Sequence, residues 1–470
     1  MKNSYDTQLP AEAQASTSAY KPVFKASCSL NQVFLPPYRG KMLELCGRIC
    51  AKRCLGAVAF ADLYDNGIDI QIVFQRDSNF AAWSFFKTCV SVGDYVGLCG
   101  IVAQTQNGTD SVFVAEMSLL TKSVSALPDK YHGVHSSQVK RQTRYLDVLT
   151  NRDAYCIFLQ RSIIQQKMRN VLIENGYLEM DTPILSTVPC ASNARQFQAH
   201  HNDLDCPVYL RVSSELALKQ LVLSGYTRVF EFCRNFRNEG SDRFHRQEFL
   251  NLEIYCAYTD LDQMKLLVKE LLTACCGESG ILRFDGKALS ICDIPTYHVY
   301  DLILDRSGID ILELNELEHL KEAMLAKGIV SEDQIFQLGN RNACVNRLVD
   351  WLLDAEGLYY LKGYPAELYP LCRVCGEDVR FADMEYLYLG DMCLAQFCGE
   401  ETDPSRLKRM LEMQAAQSEK QVEADPAFLT AASYGMPPMC GIGISMERLI
   451  MLLCGAATIY DTNFFHLNKP

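Results

Sequence analysis

From Met42 to Lys122 apolar and polar residues alternate in short runs, the two-residue period of half-buried strands. The runs Met42–Ile49, Ala57–Tyr64, Ile68–Phe74, Tyr95–Ala103 and Ser111–Leu120 predict five strands, separated by turn signals such as Asp65-Asn66-Gly67 and Gln106-Asn107-Gly108. A helical stretch, Phe80–Thr88, falls between the third and the fourth. That order is the order of an OB-fold, a small barrel that often binds oligonucleotides. Taken by itself the pattern fits a barrel spacer equally well.

Past residue 127 the period changes. Asn151–Asn175 carries Ile157, Ile163, Ile164, Met168, Val171 and Leu172 at helical spacing and stops at Gly176. Strands are predicted at Val208–Val212, Arg228–Cys233, Phe249–Tyr258, Glu385–Leu389 and Gly441–Ser445. Helices are predicted at Leu261–Cys276, Glu313–Leu325, Arg341–Ala355 and Met446–Cys454. No regular βαβ alternation and no glycine-rich phosphate loop appears, so the expectation is an α+β chain whose antiparallel sheet carries helices. The expected division is a disordered tail and lead-in over 1–40, the barrel over 41–126, a linker over 127–150 and the second domain over 151–470.

Composition narrows the class. Apolar residues make up 49% of the 470 and charged residues 22%, which excludes a wholly disordered chain. No apolar run reaches the ~18 residues of a membrane span, and the N-terminus lacks a basic-then-apolar signal pattern, so a cytoplasmic location is expected. The net charge of −12 argues against coating nucleic acid by bulk positive charge, though not against a local basic groove. The 21 cysteines are scattered through a chain too long for a disulfide scaffold. Cys46/Cys50/Cys54 and Cys372/Cys375 have zinc-like spacing, but neither group has a second pair or a histidine close behind it. Reduced, mostly buried thiols are the expectation.

Three segments carry candidate chemistry. Val229–Gly240 runs as a strand into a charged loop holding Arg237 and Glu239, passes His245, and returns through Phe249, Glu253 and Tyr255. An arginine fork near a histidine suits a phosphate, although a surface hairpin laced with ion pairs has the same texture. Gly441-Ile442-Gly443 leads through Ser445 into a helix that begins near Arg448, where small residues let a flat ligand approach the backbone. Asn175–Pro183 joins the long helix to an extended stretch ended by proline.

In this order the three segments resemble the signature motifs of the class II aminoacyl-tRNA synthetases, and within them the lysyl-tRNA synthetase family. Supporting stretches include Arg144-Tyr145-Leu146-Asp147, Tyr209-Leu210-Arg211, Glu215-Leu216 with Lys219, and Gly435-Met436-Pro437-Pro438. The resemblance runs from about Lys41 to Pro470. It implies a ligase that activates lysine with ATP and passes it to the 3′ end of tRNA(Lys). It also implies a homodimer built around Pro183 and the preceding helix. Arg237 would hold the α-phosphate and the substrate carboxylate, Glu239 the adenine edge, and His245 the outer phosphates. Phe249 and Arg448 would sandwich the adenine ring. Glu215, Glu253 and Tyr255 match the family's amino-acid contacts, and Glu400 matches the carboxylate that meets the lysine ammonium. In the barrel, Phe60 matches an aromatic that stacks on an anticodon base, with Arg48 and Gln71 as polar readers beside it.

Departures are concentrated. Cys190-Ala191-Ser192 stands where the family has Gly-Gly-Ala, ahead of Ala194-Arg195, and His245-Arg246-Gln247-Glu248-Phe249 stands for His-Asn-Pro-Glu-Phe. Ser445, Glu447 and Tyr460 replace glycine, aspartate and arginine. The family holds Mg2+ on two glutamates in the segment after residue 384. Glu385 fits the first, while the second falls on Met392 or, with one inserted residue, on Cys393, so that either nearby Asp391 substitutes or the metal site is weakened. Two rival readings stay open: a paralogue that ligates lysine or a related amino acid to another acceptor such as elongation factor P, and a non-catalytic relic that binds tRNA.

Overall fold

The structure, a computed structural model, describes residues 23–128, 134, 136–190, 194–276, 280–284, 287–352, 357–417 and 425–467. Most of the expected tail (1–22), Asp129 and Lys130 of the linker, Ala191, Ser192 and Pro470 lie outside the described residues.

All five strands expected in the first unit form: β1 (Met42–Leu55), β2 (Val58–Asp65), β3 (Ile68–Gln75), β4 (Tyr95–Gln104) and β5 (Asp110–Thr121). They close a barrel in the order β1-β2-β3-β5-β4, with β3 and β5 paired in parallel. Strict alternation sorts the side chains, so that Ala59, Ala61 and Leu63 point inward while Phe60, Asp62 and Tyr64 stay partly exposed. Strand β1 runs past its expected end because a bulge between Ile49 and Ala51 bends it from β4 toward β2. The helix Phe80–Cys89 starts at Asn79, whose side chain accepts the Ala82 N–H at 2.9 Å, and stacks Phe86 on Phe74 with ring centres 4.1 Å apart.

The second unit contains β6 (Leu178–Glu179), β7 (Leu185–Ser186), β8 (Gln198–His201), β9 (Cys206–Leu210), β10 (Arg228–Phe236), β11 (Glu248–Ala257), β12 (Ile281–Phe284), β13 (Lys287–Ser290), β14 (Thr296–His298), β15 (Leu358–Lys362), β16 (Met384–Leu389), β17 (Met392–Gly399) and β18 (Met439–Ser445). Eight of them form one sheet in the order β14-β15-β16-β17-β18-β11-β10-β6. Its interior is antiparallel, and only the two edge pairs, β14–β15 and β6–β10, are parallel. The α+β expectation therefore holds. Helices Leu261–Cys276 and Met446–Cys454 occupy their expected residues, whereas the helix expected from Glu313 begins at Leu317. Ahead of it the Asp310 carboxylate accepts the N–H groups of Leu312 and Glu313 and holds that stretch in a turn.

The sheet separates two environments by residue parity. Leu250, Leu252, Ile254, Ile442, Ile444 and Phe397 join one core beneath the sheet with helices Leu261–Cys276 and Met446–Cys454. Asn251, Glu253, Tyr255, Gly441, Gly443 and Gln396 line a cavity on the other side. A one-residue slip in β11 would bury its carboxylate in the apolar core, which makes the register strongly specified.

Candidate active site

The cavity has a volume of about 750 Å3. Two cross-strand rows build its floor. Glu253 lies opposite Gly443, which lies opposite Gln396, while Tyr255, Gly441 and Cys398 form the next row. The glycines are needed there because a Cβ on Gly441 would collide with the Glu400 carboxylate and the Tyr255 ring, and one on Gly443 would sit 3.2 Å from Glu253. Helix Glu215–Leu223 brings Glu215 and Lys219 to one end.

Lys219 is 1% exposed, with its Nζ 2.6 Å from Glu215 Oε1 and 2.5 Å from Glu400 Oε2. The two carboxylates hold its ammonium charged against the cost of burial. Burial pushes Glu253 up to about 7, against an Asn251 amide hydrogen bond of 3.1 Å that favours the ionised form. Burial pushes Glu400 up to about 8, even with Lys219 pulling it down. The Tyr255 hydroxyl is raised by burial and by all three glutamates. Three acidic groups against one internal cation leave a deficit of positive charge, which a dicationic ligand would fill. The structure thus brings Glu215, Glu253, Tyr255 and Glu400 together.

A second cluster sits at the mouth of the β10–β11 hairpin. Arg237 projects over the Phe249 ring, 5.2 Å from its centre. The Glu239 carboxylate accepts the Arg195 N–H at 3.1 Å. Arg448 donates to the carbonyls of Cys393 (2.8 Å) and Phe244 (3.3 Å) and lies 2.8 Å from His245 Nε2. His245 Nδ1 meets Asp242 at 2.8 Å, which helps to hold that carboxyl below its ordinary range even though burial opposes it. Arg237 over the Phe249 face and Arg448 fixed by two backbone carbonyls form an arrangement suited to a nucleotide.

Residues 136–469 match tRNA synthetases class II (D, K and N), and residues 43–124 match the OB-fold nucleic acid binding domain. The chain belongs to the class II aminoacyl-tRNA synthetases. The lysine--tRNA ligase of Syntrophomonas wolfei is 32% identical over 442 residues, covering 92% of this chain and 89% of that protein. The lysine--tRNA ligase of Porphyromonas gingivalis is 34% identical, covering 92% and 78%. That of Staphylococcus aureus is 33% identical, covering 90% and 87%.

In this synthetase the metal segment departs from expectation. Glu385 pairs with Phe397 in the β16–β17 ladder and so faces away from the cavity. Its carboxylate is taken up by Lys265, at 3.1 and 3.3 Å, beside the Tyr360 ring. Asp391 lies in the exposed turn of the hairpin, and the tyrosine that feels its charge, Tyr359, is stacked on Tyr388 on the opposite face from Glu385. The structure does not bring the two expected metal ligands together: alternation turns Glu385 to the core side of the sheet, and Asp391 stays in the exposed turn beyond the ladder. The ladder slips between Leu387 and Tyr388, leaving Leu394 unpaired, and the cavity face shows Tyr386 opposite Gln396 and Tyr388 opposite Cys393. Phenol, thiol and amide groups do not fit magnesium, which prefers carboxylates and water.

The expectation of reduced thiols fails at one place: Cys372 and Cys398 form a disulfide across a sequence separation of 26, tying the loop before β16 to the cavity wall. The proximity of Cys398 to Cys372 depends on β17, whose unalternating sequence hid the strand. Lys219 and Asn251 were also without an assigned role. Asn251 could have been found from its parity with Glu253 and Tyr255, and Lys219 from its position four residues after Glu215 on a helix.

In the barrel, Phe60, Gln71 and Arg48 sit on the outer surface of three adjacent strands, with Phe60 outside the apolar core. Gln71 accepts the Ser111 hydroxyl at 2.9 Å. Arg48 donates to the Gly93 carbonyl at 3.0 Å and lies over the Tyr95 ring. Among the described residues no helix is long and apolar enough to cross a membrane.

Proposed function

We propose that this chain is a lysine--tRNA ligase. The observation that carries the reading is the Glu215, Glu253 and Glu400 set around Tyr255 and Lys219, whose unbalanced negative charge matches the two ammonium groups of lysine. Arg237, at the rim of the same cavity, suits the carboxylate of that substrate. Activation forms a bond from a lysine carboxylate oxygen to the α-phosphorus of ATP and breaks the bond to pyrophosphate. A terminal tRNA hydroxyl then attacks the lysyl carbonyl, its proton leaves, and AMP is released. Neither step needs an enzyme nucleophile, so the site works by positioning and by stabilising charge on the phosphate with Arg237 and Arg448. His245, tied to Asp242, suits the outer phosphates and Glu239 the adenine edge, with Phe249 and Arg448 suited to the ring faces.

The barrel surface around Phe60 fits the anticodon of tRNA(Lys), with Arg48 and Gln71 beside it. A homodimer is supported by Ile173, Leu178, Ile184 and Leu185, 45–54% exposed along the helix and strand that end near Pro183. A cytoplasmic location goes with this reading. The paralogue that modifies elongation factor P is disfavoured by the barrel, which such ligases lack. Charging tests the proposal: purified chain, ATP and labelled lysine should produce lysyl-tRNA from a tRNA(Lys) transcript. Failure to charge while ATP and lysine both bind would favour another acceptor.

A further inference from the structure

We infer that the ATP site of this chain is built without a protein-held magnesium ion: the β16–β17 hairpin offers the cavity only neutral donors, and the phosphate charge is met by the chain's own arginines. The inference rests on the ATP-binding part of the proposed function.

Four observations carry it. First, residue parity places Glu385 on the far face, and the unpaired Leu394 sets which residues of β17 take the cavity's side of the sheet: Gln396, which lines the cavity opposite Tyr386, and Cys393, opposite Tyr388. Second, Glu385 is already neutralised by Lys265, and turning it toward the cavity would leave that partly buried ammonium only the exposed Asp262, at 2.8 Å. Third, Tyr386 and Tyr388 belong to a packed set of rings. Tyr359 stacks on Tyr388 at 5.8 Å, Tyr364 meets Tyr386 edge-on at 5.2 Å, and Tyr369 meets Tyr364 at 5.6 Å. This wall offers phenols where an octahedral ion would want carboxylates. Fourth, the carboxylates that do line the cavity are committed elsewhere, Glu215 and Glu400 to Lys219 and Glu253 to Asn251. Among the described residues no group of three or more His, Cys, Asp or Glu side chains is placed to hold a metal.

Arg237 lines the same cavity, and Arg448 sits against the wall itself. Arg448 is fixed by the Cys393 carbonyl, on the very strand that would otherwise present a metal ligand. A guanidinium held by backbone carbonyls keeps its charge and costs no further ordering when a phosphate arrives. Any magnesium that enters the site would do so on the nucleotide and water, not on this hairpin.

The test is ATP binding to the full-length protein by calorimetry, in excess MgCl2 and in EDTA. Dissociation constants within about threefold of each other are expected, about 0.6 kcal/mol by RT ln 3. The variant Tyr386→Glu/Cys393→Glu restores two carboxylates to the cavity face. It should gain both a Mg2+-dependent tightening of ATP and a Mn2+ signal in water-proton relaxation. Tightening of the unmodified protein by about tenfold or more in Mg2+ would overturn the inference and leave the ligase reading standing. Absence of ATP binding under both conditions would overturn both. Should the double variant fail to fold, the comparison on the unmodified protein decides alone.

Discussion

Lys219→Met removes the cation held between two pocket carboxylates. The groups facing Glu400 are Lys219 and Glu215 from one helix, Glu253 and Tyr255 from β11, Arg373 from the disulfide-tied loop, and Cys440 from β18. Taking one partner from a buried pair costs about 3–5 kcal/mol. At about 1.36 kcal/mol per pH unit, that would move the titration of Glu400 upward by roughly two to four pH units. Burial has already pushed it up to about 8 in the unmodified protein, so at pH 8, where about half of it is ionised, the loss of Lys219 would keep the variant carboxyl protonated and remove its attraction for the lysine ammonium. Lysine KM should therefore rise about 50-fold at pH 8, with ATP KM unchanged and kcat at saturating lysine changed far less. Lys219→Arg, which keeps the charge, should recover part of the loss. The assay is steady-state activation at varied lysine and ATP over a range of pH. An unchanged lysine KM, or an ATP KM that rises in parallel, would show that Lys219 serves only to hold the fold.

The remaining predictions concern the same pocket, the hairpin, the disulfide and the barrel. With Glu253 and Glu400 pushed up to about 7 and 8, lysine KM should fall as pH rises from 6 through 8 and then level off, since both must ionise to meet the ligand. The same sign makes the ligand-free protein less stable as pH rises through that window, because a raised carboxyl favours the folded state only while protonated; thermal melts with and without lysine check this. Glu385→Gln should lower stability by about 1 kcal/mol through the loss of its Lys265 pair, while leaving the magnesium response of ATP binding untouched in calorimetry. Reduction of Cys372–Cys398 should destabilise by about 3 kcal/mol in urea melts, with peptide mapping to follow the bond. Phe60→Ala should weaken tRNA binding by about 1–3 kcal/mol and leave lysine-dependent activation intact; loss of both would mean that the barrel had unfolded.

Much of the architecture could be read in the chain because its strands are half-buried. The barrel's alternation and the Asn251/Glu253/Tyr255 parity announce both the strands and the face that carries chemistry. Short exposed strands such as Gln198–His201 and Lys287–Ser290 escaped the reading, and so did two strands of the main sheet that are buried on both sides. Leu358–Lys362 and Met392–Gly399 are nearly continuous apolar runs, so period-two reasoning has nothing to grip. With β17 unseen, the bulge at Leu394 was unseen too, and that bulge decides which hairpin residues face the cavity. This is why Glu385 and Asp391 were expected as ligands and are found apart. Glu400 was legible only through the family resemblance, because the helix Glu215–Leu223 that brings Lys219 to it carried no signal of its own in the chain.

Pyrophosphate exchange into ATP, run with each of the twenty amino acids in turn, tests the central claim most directly. Exchange supported by lysine and by no other amino acid is the predicted result. Exchange driven by a different amino acid, or none with lysine while ATP binding persists, would contradict the account.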